Sequence, residues 1–206
     1  MGGVPSFTES VVLRRLKYLH LTIGTVDIEQ SLDCLATIRL PQLEHISIHL
    51  DPCVEPYRQD LVINILKIVA NNPMKDGVSS VHRITVASSR VTSPRFANTL
   101  KEFPKLRRLD LLSCRMSTEL WRFFQAKDTD GKFTMKYLDF LHISRCRFDA
   151  GELYEMLKTR VDGDVEGKAP LTEVQVRHVW SRRFSEKILE RMGDIESTTI
   201  KTDFFK

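Results

Sequence analysis

A chain of 206 residues with 42% hydrophobic and 28% charged side chains can bury one sizeable core, or a short repeat array sharing one, and its balance argues against wholesale disorder. The formal charge of +4 sits on scattered pairs such as Arg14-Arg15, Arg107-Arg108 and Arg182-Arg183, with no lysine-rich run, so no nucleic acid is expected as a partner. No stretch approaches 18 consecutive apolar residues, so no membrane partner is expected either.

In chain order, the first predicted strand carries Leu16-Leu19-Leu21 in "LKYLHL", and "DIEQSLDCLATI" (27–38) follows as a helix with Ile28, Leu32 and Leu35 on one face. The spacing L-x-x-L-x-L returns as Leu43-Ile46-Ile48, before the strongly apolar helix "QDLVINILKIVANN" (59–72). It returns again as Val81-Ile84-Val86, ahead of "SPRFANTLKEF" (93–103), which has Pro94 early, where a helix tolerates it. Next is "LRRLDLLSCRM" (106–116), then a helix over 117–127. The stretch "LDFLHISRCRF" (138–148) repeats Leu106, Leu109, Leu111, Cys114 and Arg115 as Leu138, Leu141, Ile143, Cys146 and Arg147. A helix over 149–161 opens on Asp149, with Glu152 three residues on. The sixth copy is Leu171-Val174-Val176, followed by a helix over 181–193 and a short seventh strand within 197–204. Residues 4–12 read as half of a helix.

The middle residues of the six copies, Leu19, Ile46, Ile84, Leu109, Leu141 and Val174, recur at steps of 27, 38, 25, 32 and 33 residues. Strand and helix alternate throughout, which predicts a parallel sheet with helical crossovers. A doubly wound sheet would have strands apolar on both sides. These strands alternate instead, as in "LEHISIHL", where His45, Ser47 and His49 interrupt the apolar residues. The expected fold is therefore α/β and of the leucine-rich-repeat solenoid type: a short horseshoe with the parallel sheet on its concave face and helices on its convex face. About six repeats start near 13, 40, 78, 103, 135 and 168, and 1–206 forms a single domain. One repeat cannot bury its own apolar side, so each neighbour must carry the same spacing.

Cys34, Cys53, Cys114 and Cys146 have neither CxxC spacing nor a histidine at zinc-finger distance, and two occupy equivalent repeat positions as small buried hydrophobes. "MGGVPSFTES" shows no charged region followed by an apolar one. An intracellular location, cytoplasmic or nuclear, is expected.

With "LxxLxLxxC" in view, residues 13 to 180 resemble the leucine-rich-repeat region of F-box-type proteins, especially the irregular repeats of fungal F-box-like proteins. The resemblance implies a part that recognises substrates for a cullin-based ubiquitin ligase. In that family a separate N-terminal F-box docks the adaptor Skp1. Here the chain passes almost directly into the first strand, so an F-box is expected to be absent from it, and no Skp1 docking is expected.

Alternation assigns three outward columns. The first runs Tyr18, His45, Arg83, Arg108, Phe140, Glu173; the second His20, Ser47, Thr85, Asp110, His142, Gln175; the third Thr22, His49, Ala87, Leu112, Ser144, Arg177. Tyr, Arg and Phe dominate interface energetics. The expected partner-binding residues are Tyr18, His20, His45, Arg83, Arg108, Asp110, Phe140 and His142, with a protein as partner. Asp110 and His142 are neighbours in the second column, about 4.8 Å apart along the sheet.

No catalytic residue, metal or cofactor is expected. His45 and His49 lie about 13 Å apart along a strand, too far for one ion. "KDTDGKF" (127–133) lacks the acidic ligands of a calcium loop, and no G-x-S-x-G, HExxH or P-loop occurs. The competing expectation is a truncated paralogue or structural remnant with no activity of its own.

Overall fold

A computed structural model of the chain describes residues 10–24, 28–51, 59–72, 79–162, 171–178, 191 and 199–203. Its elements are β1 (Val11–Val12), β2 (Tyr18–Ile23), α1 (Ile28–Thr37), β3 (Ile38–Arg39), β4 (His45–Leu50), α2 (Gln59–Ala70), β5 (Arg83–Ala87) and β6 (Arg90–Val91). They continue with α3 (Pro94–Leu100), β7 (Arg108–Leu112), β8 (Arg115–Met116), α4 (Thr118–Gln125), β9 (Phe140–Ser144), α5 (Ala150–Asp162), β10 (Glu173–Arg177) and β11 (Thr199–Asp203). Seven strands form one sheet in the order β2-β4-β5-β7-β9-β10-β11, and every neighbouring pair is parallel. The chain is thus α/β, with a parallel sheet whose strands lie side by side in chain order.

The repeated spacing explains that order. Ile46, Ile48, Ile84, Val86, Leu109, Leu111, Leu141, Ile143, Val174 and Val176 are all 0% exposed, and the leading residues Leu43, Val81, Leu106, Leu138 and Leu171 are buried with them. Sinking a residue of this size out of water contributes about 1.5–3 kcal/mol. One carbonyl at each strand entry accepts two amides from the next: Lys17 from Glu44 and His45, Glu44 from His82 and Arg83, His82 from Arg107 and Arg108. Arg107 and Asp139 continue the series, so the register is set before each strand begins. Helices touch in succession, α1 on α2, α2 on α3, α3 on α4 and α4 on α5.

Two helix starts are capped by side chains, while Ser117 ahead of α4 makes no side-chain cap hydrogen bond. Ser93 caps α3 by accepting from the Arg95 amide at 3.1 Å, and Asp149 caps α5 by accepting from the Gly151 amide at 2.8 Å. Cys114 and Cys146 are buried free thiols at the turns leaving β7 and β9. The Cys114 amide donates to Cys146 Sγ at 3.3 Å, the Cys146 thiol donates to the Leu111 carbonyl at 3.2 Å and the Cys114 thiol to the Val86 carbonyl at 3.4 Å, so each sulfur reaches the neighbouring strand. Asn72 does a similar task at the end of α2, accepting from the Leu40 amide at 2.8 Å and donating to the Ile38 carbonyl at 2.5 Å.

Two features depart from the sequence reading, and one agrees with it. Val11–Val12 is a short strand, β1, paired with β3, rather than part of a helix; two adjacent β-branched residues favour that choice. The C-terminal strand does add to the sheet, as β11 over Thr199–Asp203, inside the expected 197–204. The outward face is not uniformly wet: β9 and β10 alternate between buried and part-exposed residues, but Ser47, Thr85, Ala87 and Asp110 on β4, β5 and β7 are buried too. Those four side chains are short, and Thr85 and Asp110 are bonded by the longer His45, Arg83, Arg108 and His142. The helix expected over 181–193 lies outside the described residues except for residue 191, and Cys53 and Trp180 lie outside them as well. Among the described residues no helix is long and apolar enough to cross a membrane.

Candidate functional site

Strand pairing places the outward residues in rows. Tyr18, His45, Arg83, Arg108, Phe140 and Glu173 stand in register across β2, β4, β5, β7, β9 and β10, as do His20, Ser47, Thr85, Asp110, His142 and Gln175. Because neighbouring strands lie about 4.8 Å apart, side chains along one row can touch.

Asp110 is the centre of the face, with its side chain 2% exposed. Arg83 Nε donates to its Oδ2 at 2.9 Å, and Arg108 donates through Nε and Nη2, the latter reaching Oδ1 at 2.9 Å. Thr85 Oγ1 donates to Oδ2 at 3.3 Å, and His142 Nδ1 lies 3.2 Å from Oδ1. A carboxylate only accepts, so His142 carries its proton on Nδ1. His45 Nε2 lies 3.1 Å from Thr85 Oγ1, which extends the chain of hydrogen bonds to β4. Phe140 provides a ring beneath the Arg108 guanidinium, 3.9 Å from its centroid.

The electrostatics follow from this packing. Burial by itself would raise the Asp110 carboxyl, but the hydrogen bonds from His142 and Arg108 and the charges of Arg83 and Arg108 override it and hold the group well below the usual carboxylate range. Burial, reinforced by the Arg83 charge, pushes His45 down to about 4. His49 is lowered in the same direction, by burial first and then by His20. Two guanidinium groups, each about a third exposed, are therefore held in place over an ionised carboxylate, beside a neutral His45.

This sets a pH dependence. In the unfolded chain a histidine titrates near 6.5. Between about 6.5 and 4 the unfolded chain takes up a proton that folded His45 refuses, so stability falls as the pH drops through that window. His45→Gln should remove about 1 kcal/mol of the loss between pH 7 and 4.5, a modest figure because the ring is partly exposed. Urea melts at both pH values read it directly.

Of the expected residues, Arg83, Arg108 and His142 converge on the Asp110 carboxylate, His45 joins through Thr85, and Phe140 joins through Arg108. Tyr18 and His20, on β2 at one end of the sheet, lie outside the hydrogen bonds to Asp110. Tyr18 is 50% exposed and stacks on His20 at 6.4 Å and edge-on to His45 at 4.6 Å. At the other end Lys201 pairs with Glu173 at 2.6 Å, and Gln175 donates to the same carboxylate oxygen at 2.7 Å. Thr85, placed in the second outward column by the sequence but not counted among the expected partner-binding residues, is the link between His45 and Asp110; its place opposite Asp110 in that row was the available signal.

The arrangement positions charge. Among the described residues no hydroxyl or thiol meets His142 Nε2. Nor does any group of three or more His, Cys, Asp or Glu side chains converge as a metal site among the described residues. Asp128 in the 127–133 loop accepts instead from the Asp130 and Lys132 amides. The fold and site define a class: an α/β chain with sequentially stacked parallel strands and a fixed polar cluster on one sheet face. No family model matches the chain, and no curated protein matches it.

Proposed function

We propose that this chain is a solenoid of the leucine-rich-repeat type that binds a protein partner through the open face of its sheet. Sequential parallel strands and helices that touch in succession support the solenoid reading. The observation that carries the binding role is the Asp110 cluster. Four donors from β5, β7 and β9 converge on one buried carboxylate and hold Arg83 and Arg108 in fixed positions, so little side-chain freedom remains to be lost on binding. The Tyr18, His20 and His45 rings supply an adjoining aromatic surface of the type that anchors interfaces. Capture of substrates for a ubiquitin ligase is the form of this role that the F-box-type resemblance suggests. Buried free thiols at Cys114 and Cys146 suit a reducing, intracellular setting. A buried carboxylate that takes four side-chain donors is more than a marginally folded remnant needs.

Because Arg83 and Arg108 sit on a buried carboxylate, reversing their charge perturbs folding as well as binding. The test therefore uses the exposed end of the face. Affinity capture with the wild type, Tyr18→Ser/His20→Ser and the helix variant Arg95→Gln, each checked by circular dichroism, should show partners lost only from the double variant. Identical partner sets for all three would refute the proposal.

A further inference from the structure

The turns leaving the sheet repeat one geometry. Ser88, Ser113 and Arg145 follow β5, β7 and β9 with φ of 56°, 54° and 55°, in the left-handed region that non-glycine residues seldom occupy. Each has the same reason: its amide donates to the last residue of the next strand, Ser88 to the Leu112 carbonyl at 2.8 Å, Ser113 to Ser144 at 2.7 Å and Arg145 to Arg177 at 3.0 Å. The chain then pairs again two residues on, which puts Arg90 opposite Arg115 and Arg115 opposite Arg147.

That register sets like charges side by side on neighbouring strands about 4.8 Å apart, an unfavourable arrangement. All three arginines are exposed, as is Arg145. Elsewhere on this molecule Arg83 and Arg108 share Asp110, and Arg95 pairs with Asp60. Among the described residues no carboxylate pairs with Arg115, Arg145 or Arg147.

The four arginines border an open pocket of about 350 Å³ whose lining contains no acidic residue. Three serines, Ser88, Ser89 and Ser113, and Cys114 complete it. Ser89 is 5% exposed and its hydroxyl has no hydrogen-bond partner among the described residues, but that oxygen is shut off from the open pocket, so the hydroxyls offered to a ligand are those of Ser88 and Ser113. Guanidinium forks match the paired oxygens of phosphate, hydroxyls add donors, and the volume lies at the lower end of small-ligand sites.

From this we infer that the strand-exit rim is a binding site for a phosphate monoester. The site is distinct from the Asp110 cluster and does not depend on the reading of the sheet face. Its ligand neutralises the arginine ladder.

Isothermal titration of the full chain in low-salt buffer tests it with inorganic phosphate, sodium chloride at matched ionic strength, and a peptide containing phosphoserine. Phosphate should bind saturably, at least tenfold more weakly in Arg115→Gln/Arg147→Gln, and with unchanged affinity in Arg95→Gln. Without phosphate, the double variant should melt no lower than the wild type, because it loses a repulsion. A tighter fit for the peptide than for phosphate assigns the ester to a phosphorylated side chain; an equal or weaker fit assigns it to a free phosphate ester. Equal effects from chloride, unchanged phosphate affinity in the double variant, or a lower melting temperature for that variant would overturn the site.

Discussion

Asp110→Asn should lower the free energy of unfolding by about 2–3 kcal/mol at pH 7, read from urea denaturation. The substitution preserves shape and one acceptor oxygen, so no cavity complicates the result. What it removes is the charge facing Arg83 and Arg108, and it turns an amide donor toward guanidinium donors that need an acceptor. Loss of one partner from a fully buried pair costs about 3–5 kcal/mol; here the two guanidinium groups are about a third exposed and recover part of that from water. The deficit should also depend on pH. The folded carboxyl titrates below its unfolded value near 3.9, so its contribution is fully present above that value and is lost as the pH falls through the folded one. Wild type and variant should therefore converge below about pH 4. A deficit that stayed constant down to pH 2 would mean that the carboxylate is not the source of the stability.

The parts of this molecule legible in the sequence are those written by repetition. Leu109 and Leu141 carry the same spacing because they fill equivalent places in a shared core, and both are fully buried. A period of two fixes which side chains share a row, so Asp110 and His142 could be placed as neighbours before any coordinates. What a period cannot carry is depth. Asp110, Thr85 and Ser47 alternate like solvent-facing residues, yet all three are buried, Asp110 and Thr85 against the longer side chains that bond to them. The rim pocket had a partial signal, the Cys-Arg pair repeated at Cys114-Arg115 and Cys146-Arg147. Its stacking depends on left-handed turns at Ser113 and Arg145, residues that no glycine marks. Arg160 had no signal, since an arginine inside an amphipathic helix ordinarily faces water.

Arg160 is 4% exposed and has no carboxylate partner in the described structure. Its Nη1 donates to the Phe124 carbonyl at 3.1 Å and its Nη2 to the Met135 carbonyl at 2.8 Å, and the guanidinium lies 4.8 Å from the Phe133 ring centroid. Burial lowers its titration to about 10, which leaves it charged at neutral pH. Phe124 belongs to the last turn of α4, where free carbonyls gather partial negative charge that a cation offsets. The side chain thus ties a helix end to the turn before β9. Two losses separate on substitution. Arg160→Ala should cost about 3–4 kcal/mol, because it opens a cavity and strands two carbonyls. Arg160→Met strands the same carbonyls but keeps the volume and removes a buried charge, so about 1–2 kcal/mol is expected. The gap between the two variants in urea melts measures packing against polar contact. If methionine proves as damaging as alanine, the hydrogen bonds and the charge at the α4 terminus outweigh the packing of the side chain.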